Sequence, residues 1–203
     1  MAAARLARLE DELGDRLSIE WRSFLLRPHP RGGPPAFPAE DEAPRRVSAE
    51  ALARFRGYTG SWQRPAAEPD AGRFQSWQGE TPPPSHSVPP HVAAKAAASL
   101  GPDAFRALHR RLLEAYFAES RDVSDRSTLR ALWGEAGLPP AAFERCDDPA
   151  LLAETLREHE QAAGVGVTGV PAARMEGNDA IIVGANPTEL YRRWIHRKLD
   201  GRI

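Results

Sequence analysis

Gly166-Val167-Thr168-Gly169-Val170-Pro171 is the stretch that decides how this chain is read. Before it, a charged helical pattern runs through Leu151–Ala163 and stops at Gly164-Val165-Gly166. After it come a short apolar run at Ala172–Met175, a turn at Glu176-Gly177-Asn178-Asp179 and a second run at Ala180–Val183. Paired apolar runs around a Gly/Asn/Asp turn predict a β-hairpin. Gly184-Ala185-Asn186-Pro187 then opens a last helix, to about Leu199, with Pro187 at its first position. Pro171 has no N–H to give a ladder, which places it at the first residue of a strand. An X-Pro bond is also where a cis peptide costs least. A trans proline opening an edge hairpin is the plainer alternative.

Working outward, residues 3–13 read as a helix with Leu6, Leu9 and Leu13 on one face and Gly14 as its stop. Ser18–Leu26 reads as a strand, with Ile19, Trp21, Ser23 and Leu25 on one side. Pro28–Pro44 is Pro/Gly-rich and Gln63–Pro84 irregular, both without period, and Trp62, Phe74 and Trp77 are the expected anchors of the second. Between and after them, helices are predicted from Ser48 to about Tyr58, from Pro89 to Leu100 and from Asp103 to Ser120. Asp125 and Asp148 have the position of N-caps for two further helices, with a short helical turn at Pro139–Arg145 between them.

Composition excludes several classes. The 203 residues carry 27 Lys and Arg against 28 Asp and Glu, a net charge of −1, so no broad field for nucleic acid or an anionic membrane is expected. No run is long and apolar enough to predict a membrane span, and no signal-peptide pattern is present. One cysteine, Cys146, rules out an intramolecular disulfide framework. A cytoplasmic protein is expected.

The order of elements now carries a resemblance. Helix, Gly-Val-Thr-Gly-Val-Pro, hairpin, Gly-Ala-Asn-Pro and helix resemble the C-terminal half of a thioredoxin-like domain. More narrowly, they are similar to the DsbA-like family in its cytoplasmic FrnE-like branch. Trp21-Arg22-Ser23-Phe24-Leu25-Leu26-Arg27-Pro28 resembles that family's second strand and its exit. Ala115-Tyr116-Phe117-Ala118-Glu119-Ser120-Arg121-Asp122-Val123 resembles a stretch of its helical insertion.

The resemblance implies an α/β fold: a thioredoxin-like sheet from residues 1–27 and 150–203, with an all-helical insertion and Pro-rich loops at 28–149. It implies thiol–disulfide exchange, with Pro171 facing a redox pair. Val170 would hold an extended peptide or protein thiol substrate by β-type hydrogen bonds, and Thr168 and Gly169 would shape that loop. No cofactor and no metal are implied, and a monomer and a homodimer both fit.

One departure governs the functional reading. The family's Cys-x-x-Cys lies at the end of the first strand, and this chain begins inside the helix that would follow, so that strand is apparently missing. Ser18–Leu26 and Ala172–Met175 would then lack their common neighbour. Each buried, unsatisfied backbone group costs about 1–3 kcal/mol, a large share of a typical stability of about 5–15 kcal/mol. The expectation is that Met1 is not the natural start and that a strand with the redox pair precedes it. The alternatives are a peptide- or partner-binding module without the pair, and a relative of the glutathione-dependent kappa-type transferases or isomerases, which use Ser in place of the first Cys.

Other side chains are weaker candidates. Cys146 follows Arg145 and precedes Asp147-Asp148, at a helix end whose dipole opposes a thiolate, so an inert thiol is expected. The six histidines show no metal-ligand spacing. Ser85-His86-Ser87 invites a nucleophile–base pairing, but adjacent side chains rarely face each other and no orienting carboxylate is marked, so packing is expected. Glu154, Arg157, Glu158 and Glu160 read as a solvated face, as do Arg5, Arg8, Arg110 and Arg111.

Overall fold

Leu6, Leu9 and Leu13 turn inward along α1 (Ala2–Leu13), and Leu9 is fully buried. They meet Tyr191 and Ile195 of the last helix, α8 (Thr188–Leu199), together with Ala173, Met175 and Ile182 of the hairpin. Gly14, at φ 53, ends α1 in a backbone region that suits glycine. In this computed structural model, residues 1–30, 33–40, 45–68 and 73–202 are described. Residues 31–32, 41–44 and 69–72, within the two Pro-rich stretches, lie outside the described residues.

Arg5 belongs to the same small core. It is buried, where a solvated side chain was expected, and donates to the Ala185 and Asn186 carbonyls at 2.9 and 2.8 Å and to Glu68 at 2.8 Å. The first helix therefore fixes the loop that starts the last one. The hairpin pairs β1 (Ala172–Arg174) antiparallel to β2 (Ile181–Val183), with Ala173 opposite Ile182. Pro187 flanks α8 as its N-cap instead of occupying the first turn.

A larger, helical core lies beside it. Short α3 (Gln63–Ala66) follows α2 (Ala49–Thr59), where an irregular chain was expected. Then come α4 (Val88–Ala98), α5 (Pro102–Ala118), α6 (Arg126–Glu135), a 3-10 segment (Pro140–Asp147) and α7 (Pro149–Gly164). Ala93, Ala96 and Ala97 keep α4 slim at the centre of this core, where Leu108, Leu129, Leu132, Trp133 and Phe143 are buried. Each large apolar side chain buried there stabilises by about 1.5–3 kcal/mol. Asp125 accepts from the Thr128 amide and Asp148 from the Ala150 amide, so both expected caps form.

Aromatic side chains tie the Gln63–Pro84 stretch to α2 and α5. Trp77 packs edge-on against Phe55 and tilted against Tyr116, Trp62 packs against Tyr116 and Phe117, and Phe74 against Phe117. The Trp77 indole donates to the Thr81 carbonyl at 2.9 Å.

The expected strand at Ser18–Leu26 does not form. The segment is neither helix nor strand, and among the described residues the only sheet is the β1–β2 hairpin. A ladder needs a neighbour in register, and none is beside it. Side chains of α7 take over: the Ser23 amide donates to Glu158 Oε2 at 2.7 Å and the Leu25 amide to His159 Nδ1 at 3.2 Å. Among the described residues, no helix is long and apolar enough to cross a membrane.

Candidate functional site: an open cleft beside Pro171

The loop after α7 is set by its glycine. Gly166 has φ 91, its amide donates to Ala163, and the Val167 amide reaches back to Ala162. That is a Schellman closure, which only a residue tolerant of the left-handed region completes without strain. The chain then turns through Thr168 and Gly169. The Val170–Pro171 bond is cis, and the Pro171 carbonyl accepts from the Gly184 amide at 2.8 Å. Val170 is exposed and Pro171 half-buried.

Val170 and Pro171 border an open cleft of about 3530 Å³, whereas Thr168 and Gly169 shape the turn and do not line it. The cleft is also bordered by Met1, Ala2 and Ala3 at the start of α1, by residues 17–24 of the irregular segment and by Ala172 and Ala173 of β1. The N-terminus of a helix favours negative charge, through its unpaired amides and its dipole. The structure therefore brings the Pro171 loop and the start of α1 to one opening.

On the helical side stand Trp21, Phe105 and His109, with ring centroids 4.9–6.3 Å apart. Burial pushes His109 down to about 4, helped by the amino group of Met1. Burial, then His109 and Lys95, hold His91 at about 4 as well. Both imidazoles are neutral at neutral pH, so this wall is aromatic and uncharged.

Glu158 is the residue the sequence misplaced. It is buried, with Lys95 Nζ at 2.8 Å and the Ser23 amide at 2.7 Å on its carboxylate. Burial pushes its carboxyl up, but the hydrogen bonds from Lys95 and Ser23 outweigh this and leave it below its ordinary value. Its even spacing with Glu154 looked like an exposed charge row, and no local signal told the two apart.

Cys146 lies in the helical core, away from the cleft. Burial, and then the charge of Asp147, push its thiol up to about 12. No group of three potential metal ligands occurs among the described residues. Ser85 and His86 do face each other, with Ser85 Oγ 2.7 Å from His86 Nδ1, and His86 is buried.

The model of the DSBA-like thioredoxin domain matches residues 81–196. The chain belongs to this family. The match takes in the DSBA-like helices α4 to α7, the Pro171 loop, the hairpin and most of α8. A crystal structure of a candidate protein disulfide isomerase from Nitrosomonas europaea is similar across 99% of this chain and 91% of that one, with a TM-score of 0.70 at 16% identity. The cytosolic disulfide reductase DsbM from Pseudomonas aeruginosa is similar over 98% and 92%, with a TM-score of 0.64 at 18% identity. Both likenesses show the DSBA-like thioredoxin fold with its helical part. No curated protein matches the sequence significantly.

Proposed function

We propose that this chain is the body of a cytoplasmic thiol–disulfide oxidoreductase, completed by an extended segment that runs through the cleft into the start of α1. Residues 1–27 and 150–203 form its thioredoxin-like part and 28–149 its helical cover. The observation that carries the reading is the cleft itself. The irregular chain at 17–24 lines one part of it, Ala172 and Ala173 of β1, which pairs only with β2 among the described residues, line another, and the start of α1 a third.

The 203 residues hold one cysteine, which is buried, and in this reading the dithiol pair rides on that segment. A thiolate at the α1 N-terminus is stabilised by the helix dipole. It attacks a substrate disulfide, forms a mixed disulfide and releases one substrate thiol; the second cysteine then resolves it. Val170, exposed at the rim, offers its backbone to an extended substrate.

A specific observation favours a second reading, a binding module without redox chemistry. Glu158 and His159 already satisfy the Ser23 and Leu25 amides, so residues 18–26 hold without a strand. Insulin reduction by protein purified from its native cells separates the two. Catalysed precipitation of the B chain, slowed by Val170→Asp in the same protein made recombinantly, is the oxidoreductase result. No acceleration over dithiothreitol alone contradicts it.

A further inference from the structure

Ser85 and His86 form a second polar constellation, on the turn that leads into α4. His86 Nε2 is 3.0 Å from the Ala36 carbonyl oxygen. A carbonyl only accepts, so Nε2 carries the ring proton and Nδ1 is the acceptor. The Ser85 hydroxyl lies 2.7 Å from Nδ1 and 3.1 Å from Ser124 Oγ, and its single proton goes to the imidazole, the nearer acceptor, in the reactive arrangement. That is a nucleophile, a base and an orienting acceptor in sequence, with a backbone carbonyl where a carboxylate often stands.

The surroundings hold this geometry and leave it open on one side. His86 is buried, while Ser85 is half-buried and borders the cleft. The Ser85 amide donates to Ser124 Oγ at 2.8 Å, and Ser124 Oγ donates to Asp122 at 2.5 Å, which clamps the backbone beside the nucleophile. Two guanidiniums flank the preceding residues: Arg45 donates to the Pro83 carbonyl at 3.0 Å and Arg27 to the Pro84 carbonyl at 3.0 Å. Asp122 offsets Arg45, whereas Arg27 has no carboxylate partner among the described residues. A fixed cation near the nucleophile favours a developing oxyanion.

We propose that Ser85 is a nucleophile and His86 its base, in a site that hydrolyses small carboxylic esters. Ser85 Oγ bonds to the ester carbonyl carbon as its proton passes to His86 Nδ1. The tetrahedral oxyanion collapses, the bond to the alcohol oxygen breaks, and the alcohol leaves with the proton from His86. Water then attacks the acyl-serine and gives a proton to His86. The carboxylic acid departs as Ser85 recovers its proton. Disulfide exchange uses neither residue, so this site and the redox reading stand or fall separately.

The test uses the 203-residue chain, a fluorophosphonate probe and p-nitrophenyl acetate. The expected result is a covalent label mapped by mass spectrometry to Ser85. Ser85→Ala should lose the label and hydrolyse at the background rate, His86→Gln should label about 100-fold more slowly, and Ser127→Ala should behave as the parent. No label on the folded parent chain, a label on another residue, or hydrolysis unchanged in Ser85→Ala overturns the proposal. The labelling of the parent decides even if a variant fails to fold.

Discussion

The Ser23 amide donates to the Glu158 carboxylate at 2.7 Å, and a helix side chain thereby stands where a strand would pair. The same carboxylate takes Lys95 Nζ at 2.8 Å. Replacing Glu158 with Ala strips the acceptor from a buried amide and leaves Lys95 with Glu154 alone, 3.0 Å away. The expected loss is about 2–3 kcal/mol. Gln keeps an oxygen at the site and should lose less. Urea unfolding followed by circular dichroism checks both values; equal stability of Glu158→Ala and the parent would contradict the packing described.

The buried imidazoles set a pH dependence of their own. His91 and His109 fall from an ordinary 6.5 to about 4 in the folded chain, mainly through burial. With a depressed folded value, the unfolded state takes up protons first. Stability is therefore full above pH 6.5 and declines as pH drops from 6.5 toward about 4. Glu158, held below its ordinary 4.5, adds a further loss beneath that value. His109→Phe should flatten the upper part of the curve, read from urea midpoints between pH 7 and pH 4.

Arg126 joins the Pro28–Pro44 stretch to the helical core. Its guanidinium lies 5.2 Å from the Phe37 ring centroid and 5.5 Å from that of Phe143. It bonds Asp147 at 2.6 and 2.8 Å, Glu40 at 2.5 Å and the Pro38 carbonyl at 3.0 Å. Arg126→Lys keeps the charge but not the planar fork, so about 2 kcal/mol should be lost. Cleavage by a protease within residues 28–47 should accelerate before global unfolding does. Unchanged cleavage would show that the stretch is held elsewhere.

Cys146 is 1% exposed and its thiol is pushed up to about 12. Maleimide at pH 7 should leave the native chain unlabelled and modify it fully in urea. Rapid labelling of the native chain would contradict the burial and make Cys146 a candidate redox group.

Much of this architecture is legible in the residues. The Gly-turn hairpin and the Asp125 and Asp148 caps rest on local chemistry, and the structure keeps them, with each strand one residue shorter than its apolar run. What misled was tertiary. Ser18–Leu26 has strand chemistry but no partner, and alternation alone cannot report a missing neighbour. Glu158 and Arg5 have the spacing of surface charges, yet each satisfies backbone groups far away in the chain. Ser85 and His86 face each other through a turn that adjacency argues against. Of the loop read as a substrate site, Val170 and Pro171 reach the cleft while Thr168 and Gly169 serve its turn.

The most direct measurement is the intact mass and N-terminal sequence of the protein purified from its native cells. The expected result is a mass above the 22.3 kDa of this chain, with an extended apolar segment and Cys-x-x-Cys ahead of α1. A mass of 22.3 kDa, with the amides of residues 18–26 protected from hydrogen exchange, would contradict it. The cleft would then be a groove for a partner, with Glu158 and His159 satisfying the Ser23 and Leu25 amides beside it.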